Sequence, residues 1–419
     1  MKKITFVFSL LVVLLAHAQY TGPGFYRVHN VGSDSYICIK GTKFNKTTRP
    51  DAFWPCVLMQ KDHAQVVTDP GSIIYIPDTV QTSLCSQGVS TLSLTGLALD
   101  IDFAKVNEGG KLTYIAMTYS QEFFGGHIPC IFRDCGNGFT AGSSDKPESR
   151  WWIEPVNEAS MDSSYFGLTP VNSVTADEGT EYWATLCCDF PCLIPEGGSV
   201  EGAYTVNRIY NGKENTAMVK PIKRYGQGDT IPGATPVLIK CTSTEAKDNK
   251  LVPVGEIANH TALPITADLL MGNYFSIFTN HGHLTDYTVM TDYLPEQSTP
   301  ASNNYLALGI DENGTIGFFP KEEGTYMDAN TAWLDVTTMT DKNVSAVYFV
   351  VNGDGNGDGR CDMDDLSLII NYLLNSSYEP TKLSAASFSD TIIGLDIDEN
   401  GQIDMDDLSK LINYLLTNS

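Results

Sequence analysis

Between residues 19 and 348 the apolar positions come in short runs cut by Gly, Pro, Asn and Asp, with almost no helical periodicity. Runs such as Gly24-Phe25-Tyr26-Arg27-Val28, Ser72-Ile73-Ile74-Tyr75-Ile76 and Leu112-Thr113-Tyr114-Ile115-Ala116 predict strands bounded by turns. The pattern changes near residue 349. Leu366, Ile369, Ile370 and Leu373, and again Leu408, Leu411, Ile412 and Leu415, stand at the i, i+3, i+4, i+7 spacing, which predicts two amphipathic helices with facing apolar stripes. At the other end, Lys2 and Lys3 precede an apolar run from Ile4 to Leu15, and Ala16-His17-Ala18 follows it. This is the pattern of a secretory signal peptide over residues 1–18. Its apolar run is shorter than the roughly 18 residues a membrane span needs, and no later run reaches that length, so no membrane span is expected.

The polar stretch from Asn157 to Ser164 divides the β-rich body into modules 19–157 and 158–348, ahead of a C-terminal module 349–419. The second module echoes itself: Ile231 to Ile239 resembles Met327 to Asp335 at an offset of 96, and each copy follows an Asn-Gly turn, Asn211-Gly212 or Asn313-Gly314. Two related hairpins predict a β-sandwich with pseudo-repeated halves. The first module opens with Phe25-Tyr26-Arg27-Val28-His29-Asn30-Val31-Gly32-Ser33 and closes with Trp151-Trp152-Ile153-Glu154-Pro155-Val156. That opening and close are similar to those of ricin-type β-trefoil carbohydrate-binding modules, a resemblance that implies a fold class and assigns no sugar-binding residue. Trp54, Trp151 and Trp152 could stack on a sugar ring, although aromatic side chains in a β domain more often build core. The expected fold is mainly β and multidomain, a β-trefoil-like module and then a β-sandwich-like module, with a small α-helical calcium-binding module at the end.

Charge sharpens this picture at one place. The 419 residues carry 26 Lys and Arg against 50 Asp and Glu, a formal net charge of −24, which leaves no basic patch for nucleic acid. Residues 349–419 alone hold 13 acidic and 3 basic side chains, a concentration that needs a local cause. The ten cysteines all follow residue 18, where an exported chain can oxidise them, and their connectivity is open. Zinc is a poor match for Cys187, Cys188 and Cys192, because the two-residue gap of a ligand knuckle is missing.

The local cause is a repeat. Asp362-Met363-Asp364-Asp365-Leu366-Ser367 returns as Asp404-Met405-Asp406-Asp407-Leu408-Ser409, and Ile370-Asn371-Tyr372-Leu373-Leu374 as Ile412-Asn413-Tyr414-Leu415-Leu416, at a constant offset of 42. Upstream of each copy oxygen donors alternate: Asp354, Asn356 and Asp358 before Gly359, and Asp396, Asp398 and Asn400 before Gly401. A calcium ion takes about six to eight oxygens, and a twelve-residue loop supplies them from positions 1, 3, 5, 7, 9 and 12 with glycine at the sharp turn. The expected ligands are Asp354, Asn356, Asp358, the Arg360 carbonyl, Asp362 and Asp365 for one ion, and Asp396, Asp398, Asn400, the Gln402 carbonyl, Asp404 and Asp407 for a second. Cys361 and Ile403, at position 8, are expected to couple the loops through an apolar contact. A decoy, Ile310-Asp311-Glu312-Asn313-Gly314, lacks both anchoring carboxylates in this register and reads as a hairpin turn.

Each loop is followed by a helix but preceded by no helix, since Val347 to Val351 reads as a strand and Asn352-Gly353 as a turn. This combination resembles the type I dockerin module, over roughly residues 350–419. The resemblance implies binding of two calcium ions and docking to a cohesin-like partner through loop positions 10 and 11, here Met363-Asp364 and Met405-Asp406 where the family commonly has a Ser/Thr pair. The arrangement as a whole looks like that of secreted modular proteins of gram-negative anaerobes. None of the histidines His29, His63, His127, His260, His281 or His283 lies in a recognisable hydrolase or zinc-protease signature. The preferred reading is therefore a secreted or periplasmic, non-catalytic protein that binds an extracellular ligand, such as a glycan, through its β modules and a protein partner through its C-terminal module. The alternative is a hydrolase acting on polysaccharide, a glycoside hydrolase, carried by the same docking module.

Overall fold

The computed structural model describes residues 20–45, 49–79, 101–108, 111–119, 129–134, 139–142, 145–157, 164–175, 179–211, 215–255, 268–274, 277–280, 283–285, 305–321, 326–336, 344–355, 361–375, 394–398 and 402–417. The signal-peptide segment lies outside them. Strands dominate, and the helices of the C-terminal region are α1, Met363–Asn375, and α2, Met405–Thr417. Among the described residues no helix is long and apolar enough to cross a membrane.

The first unit is a nine-stranded sheet organised around Gly24–Asn30. This strand pairs antiparallel with Arg150–Pro155, from Tyr26↔Pro155 to Asn30↔Trp151, so the opening and closing strands of the unit lie side by side. Alternation then sorts the side chains. Tyr26 and Val28 face a core with Ile37, Ile39, Ile74, Ile76, Trp151 and Ile153. Phe25, on the other face, joins a different core described below. Arg27 is fully buried on that second face. Its Nε donates to Ser72 Oγ (2.9 Å), its Nη2 to Val66 O (3.3 Å) and its Nη1 to Ser164 Oγ (3.5 Å). Burial pulls its pKa down to about 10, which still leaves it protonated at neutral pH.

The second unit contains a five-stranded antiparallel sheet ordered Val171–Thr175, Gly179–Leu186, Val237–Cys241, Val200–Thr205, Ile222–Gly226. Both faces of this sheet are covered, which explains the near-continuous apolar run at Val237-Leu238-Ile239. Leu238 and Trp183 point to a core shared with Leu306, Phe318, Leu334 and Val347 of a seven-stranded sheet, giving two sheets packed face to face. Val237, Ile239 and Cys241 point the other way, into a core that also takes Phe25, Ile73, Tyr75 and Val156 of the first unit. The two β units therefore share one continuous core. Gly167 N donates to Val67 O (3.0 Å) across the same seam.

The internal echo has a structural counterpart. A two-residue strand, Thr230–Ile231 or Tyr326–Met327, leads through a turn into Val237–Cys241 or Ala332–Asp335. Each turn holds a non-glycine residue in the left-handed region at the matching position, Ala234 (φ 63°) and Asn330 (φ 58°). Both turns grip one segment: Ala234 N donates to Cys188 O (2.7 Å), and Cys187 N donates to Asn330 O (2.9 Å). The decoy is a hairpin as expected. Strands Tyr305–Ile310 and Ile316–Pro320 flank it, and Asp311 Oδ1 accepts from Asn313 N (2.9 Å) and Thr315 N (2.8 Å).

Strand Ala346–Phe349 leads out of the seven-stranded sheet, paired in parallel with Thr216–Val219. Val350 N still donates to Val219 O (2.9 Å), so the C-terminal region starts directly from the sheet.

Candidate metal centre and docking surface

The C-terminal region is built around two helix starts. Asp362 and Asp404 precede α1 and α2, and each Oδ1 accepts from the second helical amide, Asp364 N or Asp406 N, both at 2.8 Å. They are N-caps. Three residues on, Asp365 and Asp407 reach back, their Oδ2 accepting from Asp362 N (2.8 Å) and Asp404 N (2.9 Å). The Asp-Met-Asp-Asp run is thus a variant of the capping box in which the cap accepts from the second rather than the third helical amide, with acid in the first turn where the helix dipole favours it. Sequence reasoning read these four acids as ligands and missed the second role, although the D-x-x-D spacing ahead of an apolar run was available to show it.

The other oxygen of each fully buried acid ties down the start of its own loop. Asp365 Oδ1 accepts from Gly355 N (2.9 Å), and Asp407 Oδ1 from Ile397 N (2.8 Å) and Asp398 N (3.0 Å). One carboxylate therefore joins the first turn of the loop to the first turn of the helix. Asp354 and Asp396, each 6% exposed, sit at the loop starts. Ligand oxygens of Asp396, Asp398 and Asp407 lie within 4.8 Å of one another. Asn356, Asp358, Arg360 and Asn400 fall outside the described residues; Gln402, at position 7 of the second loop, is half-buried.

The loops share one core. Cys361 and Ile403 are both buried in a cluster with Ile369, Leu395 and Leu411, in keeping with the coupling expected at position 8. Gly353 adopts φ 93° and a side chain there would run into Cys361 Sγ, so glycine is required on both counts. Gly353 N donates to Gly394 O (2.7 Å), which joins the segments entering the two loops. From outside, Lys220, one residue beyond Thr216–Val219, donates from Nζ to Asp396 O (2.7 Å). Nothing in the sequence marks Lys220, because only the parallel pairing of its strand brings it to a loop 176 residues away.

One expectation needs correction. Ile369 and Leu411 are fully buried, but Ile370 and Ile412 are 39% and 38% exposed; Leu368 and Tyr372 pack against the core instead. Ile370 belongs with Met363 and Leu374, and Ile412 with Met405 and Leu416, all of them exposed. The i, i+7, i+11 spacing places each trio on one helix face, so an apolar stripe lies open on each helix. Asp364 and Asp406 are exposed beside the methionines. The four residues expected at the partner surface are thus solvent-facing, and an exposed apolar stripe continues from each methionine along its helix.

In the first unit Trp151 is core and fully buried, while Trp152 is partly exposed and meets His29 edge-on at 5.0 Å. The Trp54 side chain is outside the described residues. His29 lies between Glu154 Oε1 (2.9 Å from Nδ1) and Asp34 Oδ1 (2.8 Å from Nε2) and stacks on Tyr36 at 4.0 Å. Burial alone would lower its pKa, but the hydrogen bonds and charges of Glu154 and Asp34 outweigh this and hold it above the ordinary value.

Residues 352–416 match the family model of the dockerin type I domain. No curated protein and no solved structure matches the chain.

Proposed function

We propose that this chain, which carries a type I dockerin domain at its C-terminus, is an exported modular protein that docks to a cohesin partner in a calcium-dependent way while its β units bind an extracellular ligand. The observation that carries this reading is the duplicated bracket in which Asp365 and Asp407 each tie a loop start to a helix start. The donor set fits calcium: it is all oxygen, rich in carboxylate, and contains neither imidazole nor thiolate. Asp354, Asn356, Asp358, the Arg360 carbonyl, Asp362 and Asp365 would hold one ion. Asp396, Asp398, Asn400, the Gln402 carbonyl, Asp404 and Asp407 would hold the other. Since Asp362 and Asp404 use Oδ1 as helix caps, their remaining oxygen is the one available at position 9.

Calcium supplies the positive charge that lets these carboxylates sit together. The chain's own groups do the rest: the capping boxes start both helices, the shared core sets them side by side, and the two apolar stripes meet the partner. Met363-Asp364 and Met405-Asp406 lead each stripe, so the near-identical copies offer two related faces. For the β units, a cleft of about 310 Å³ supports ligand binding. It opens where the two β units meet, with Thr68, Thr169, Thr185, Trp183, Lys321 and Asp328 in its lining. Hydroxyls and a Lys321–Asp328 pair at 3.4 Å suit a polar ligand such as a glycan.

The test is capture of the full chain on immobilised cohesin with and without calcium. Capture only with calcium is expected, weakened by Met363→Glu or Met405→Glu and abolished by the double variant. Equal capture in chelator, or an unaffected double variant, would refute the docking reading.

A further inference from the structure

We infer that Cys188 and Cys192 form a covalent cross-link site, closed as an intramolecular disulfide when the chain folds in the presence of a disulfide oxidant. The two thiols lie 3.7 Å apart, sulfur to sulfur, across the turn Asp189-Phe190-Pro191, and Cys188 Sγ also points at Phe190 O (3.3 Å). Both are buried in one core, so each has the other as a close sulfur neighbour and neither is open to a second molecule. The adjacent Cys187 faces away: it packs with Ala234 and Tyr274, and its Sγ lies against Gly272. Cys241 belongs to the same core as the pair, but sits on a central strand of the five-stranded sheet.

The position explains what the link would do. This turn is where the β units meet. Phe190, fully buried at its tip, packs on Phe25 of the first unit (5.3 Å between centroids) and Phe166 of the second (6.0 Å). The pseudo-repeated turns hold it from both sides through Ala234 N to Cys188 O and Cys187 N to Asn330 O, and Val254 N donates to Pro191 O (3.0 Å). A bond between residues 188 and 192 would fix the curvature that presents Phe190 to both units, and would lower the conformational freedom of this segment in the unfolded chain.

The chemistry balances by thiol–disulfide exchange. One thiol loses its proton and its sulfur attacks a disulfide such as glutathione disulfide; one thiol of the oxidant leaves, and a mixed disulfide remains. The second cysteine loses its proton and displaces the other thiol, forming one S–S bond here for the one broken in the oxidant. Two electrons pass to the oxidant. Burial pushes the Cys188 thiol well up, so the folded chain holds little thiolate there, and exchange belongs to the stage before Phe190 is inserted. Once buried, the bond is shielded from reductants.

The inference concerns folding in an oxidant and does not require the export reading, so the experiment is done in vitro on the full chain. The reduced, denatured protein is refolded in a buffer of oxidised and reduced glutathione, then denatured without reductant, alkylated, digested and analysed by mass spectrometry. The expected peptide carries residues 188 and 192 unalkylated and is lighter by two hydrogens. This signature should persist in Cys187→Ala and vanish in Cys188→Ala. Reductant added after unfolding should lower the refolding yield of the wild type and of Cys187→Ala alike. Alkylation of both residues in the wild type, or a cystine joining either of them to Cys187 or Cys241, would overturn the inference, whatever the variants do.

Discussion

Residues 354–365 and 396–407 carry the same alternation of donors and end in the same capping box, yet the residues around them differ. After the first loop, Leu368 packs closely over Gly355 beside Leu395. Its counterpart after the second loop is Lys410, whose Nζ lies 3.7 Å from Asp398 Oδ2. The second loop also has its first carbonyl held by Lys220 of the β body. The repeat thus keeps the number of carboxylates, with Asn and Asp exchanged at the third and fifth positions, and leaves the electrostatic setting free to diverge: one loop is backed by an apolar side chain, whereas a ligand of the other already faces the Lys410 ammonium. Calcium should therefore be held more tightly by the first loop.

The strongest way to break the comparison is to remove what the loops share. Asp365→Ala and Asp407→Ala each strip the acceptor from at least two backbone amides, at about 1–3 kcal/mol per orphaned group. Each should destabilise the C-terminal domain by about 2–6 kcal/mol, read by denaturation with the helical signal as probe, and should damage the other loop's affinity through the shared core of Cys361 and Ile403. If the untouched loop keeps its affinity in both variants, the loops are independent.

Lys220→Met tests the asymmetry next. Loss of its partly buried hydrogen bond should cost the seat of the second loop about 1–2 kcal/mol and lower the first loop's affinity by less, through the shared core, as site-resolved calcium titration would show. Lys410→Leu makes the loops alike and should raise the second loop's affinity about two- to five-fold, the scale of an exposed ion pair. No change in relative affinity would mean that Lys410 does not compete with the cation.

The smallest expected effect comes from a third acid cluster that brings its own cation. Asp34 and Glu154 hold His29 between them, and its folded-state pKa is raised above 6.5. Its contribution to stability is fully present below the unfolded value and is lost as pH rises through the raised folded value. The calcium loops run the other way, because a protonated carboxylate is a lost ligand. Thermal melts from pH 6 to pH 9 should therefore show the β body losing a little stability, and His29→Gln should remove that slope.

The shared burial of Cys361 and Ile403, the two helices and the strand leading in were legible in the sequence, because repeat offset and apolar spacing are one-dimensional signals. Ile370 was not placed correctly, since the i, i+4 rule cannot tell a wide buried stripe from a narrow one beside an exposed stripe. The polar stretch after Val156 gave no sign that Phe25 and Tyr75 enter the same core as Val237 and Ile239, because a strand covered on one face by a neighbouring unit reads like any buried strand. The echo at offset 96 was visible, but its meaning, two left-handed turns closing on Cys187 and Cys188, depends on φ angles and a through-space contact.

The most direct test of the central claim is a calcium titration of the full chain, after treatment with chelator, followed by calorimetry and by far-ultraviolet circular dichroism. Two bound ions are expected, the first tighter than the second, with helical signal from residues 363–375 and 405–417 appearing as they bind and the β signal unchanged. Full helicity in excess chelator, or no heat of binding, would contradict it.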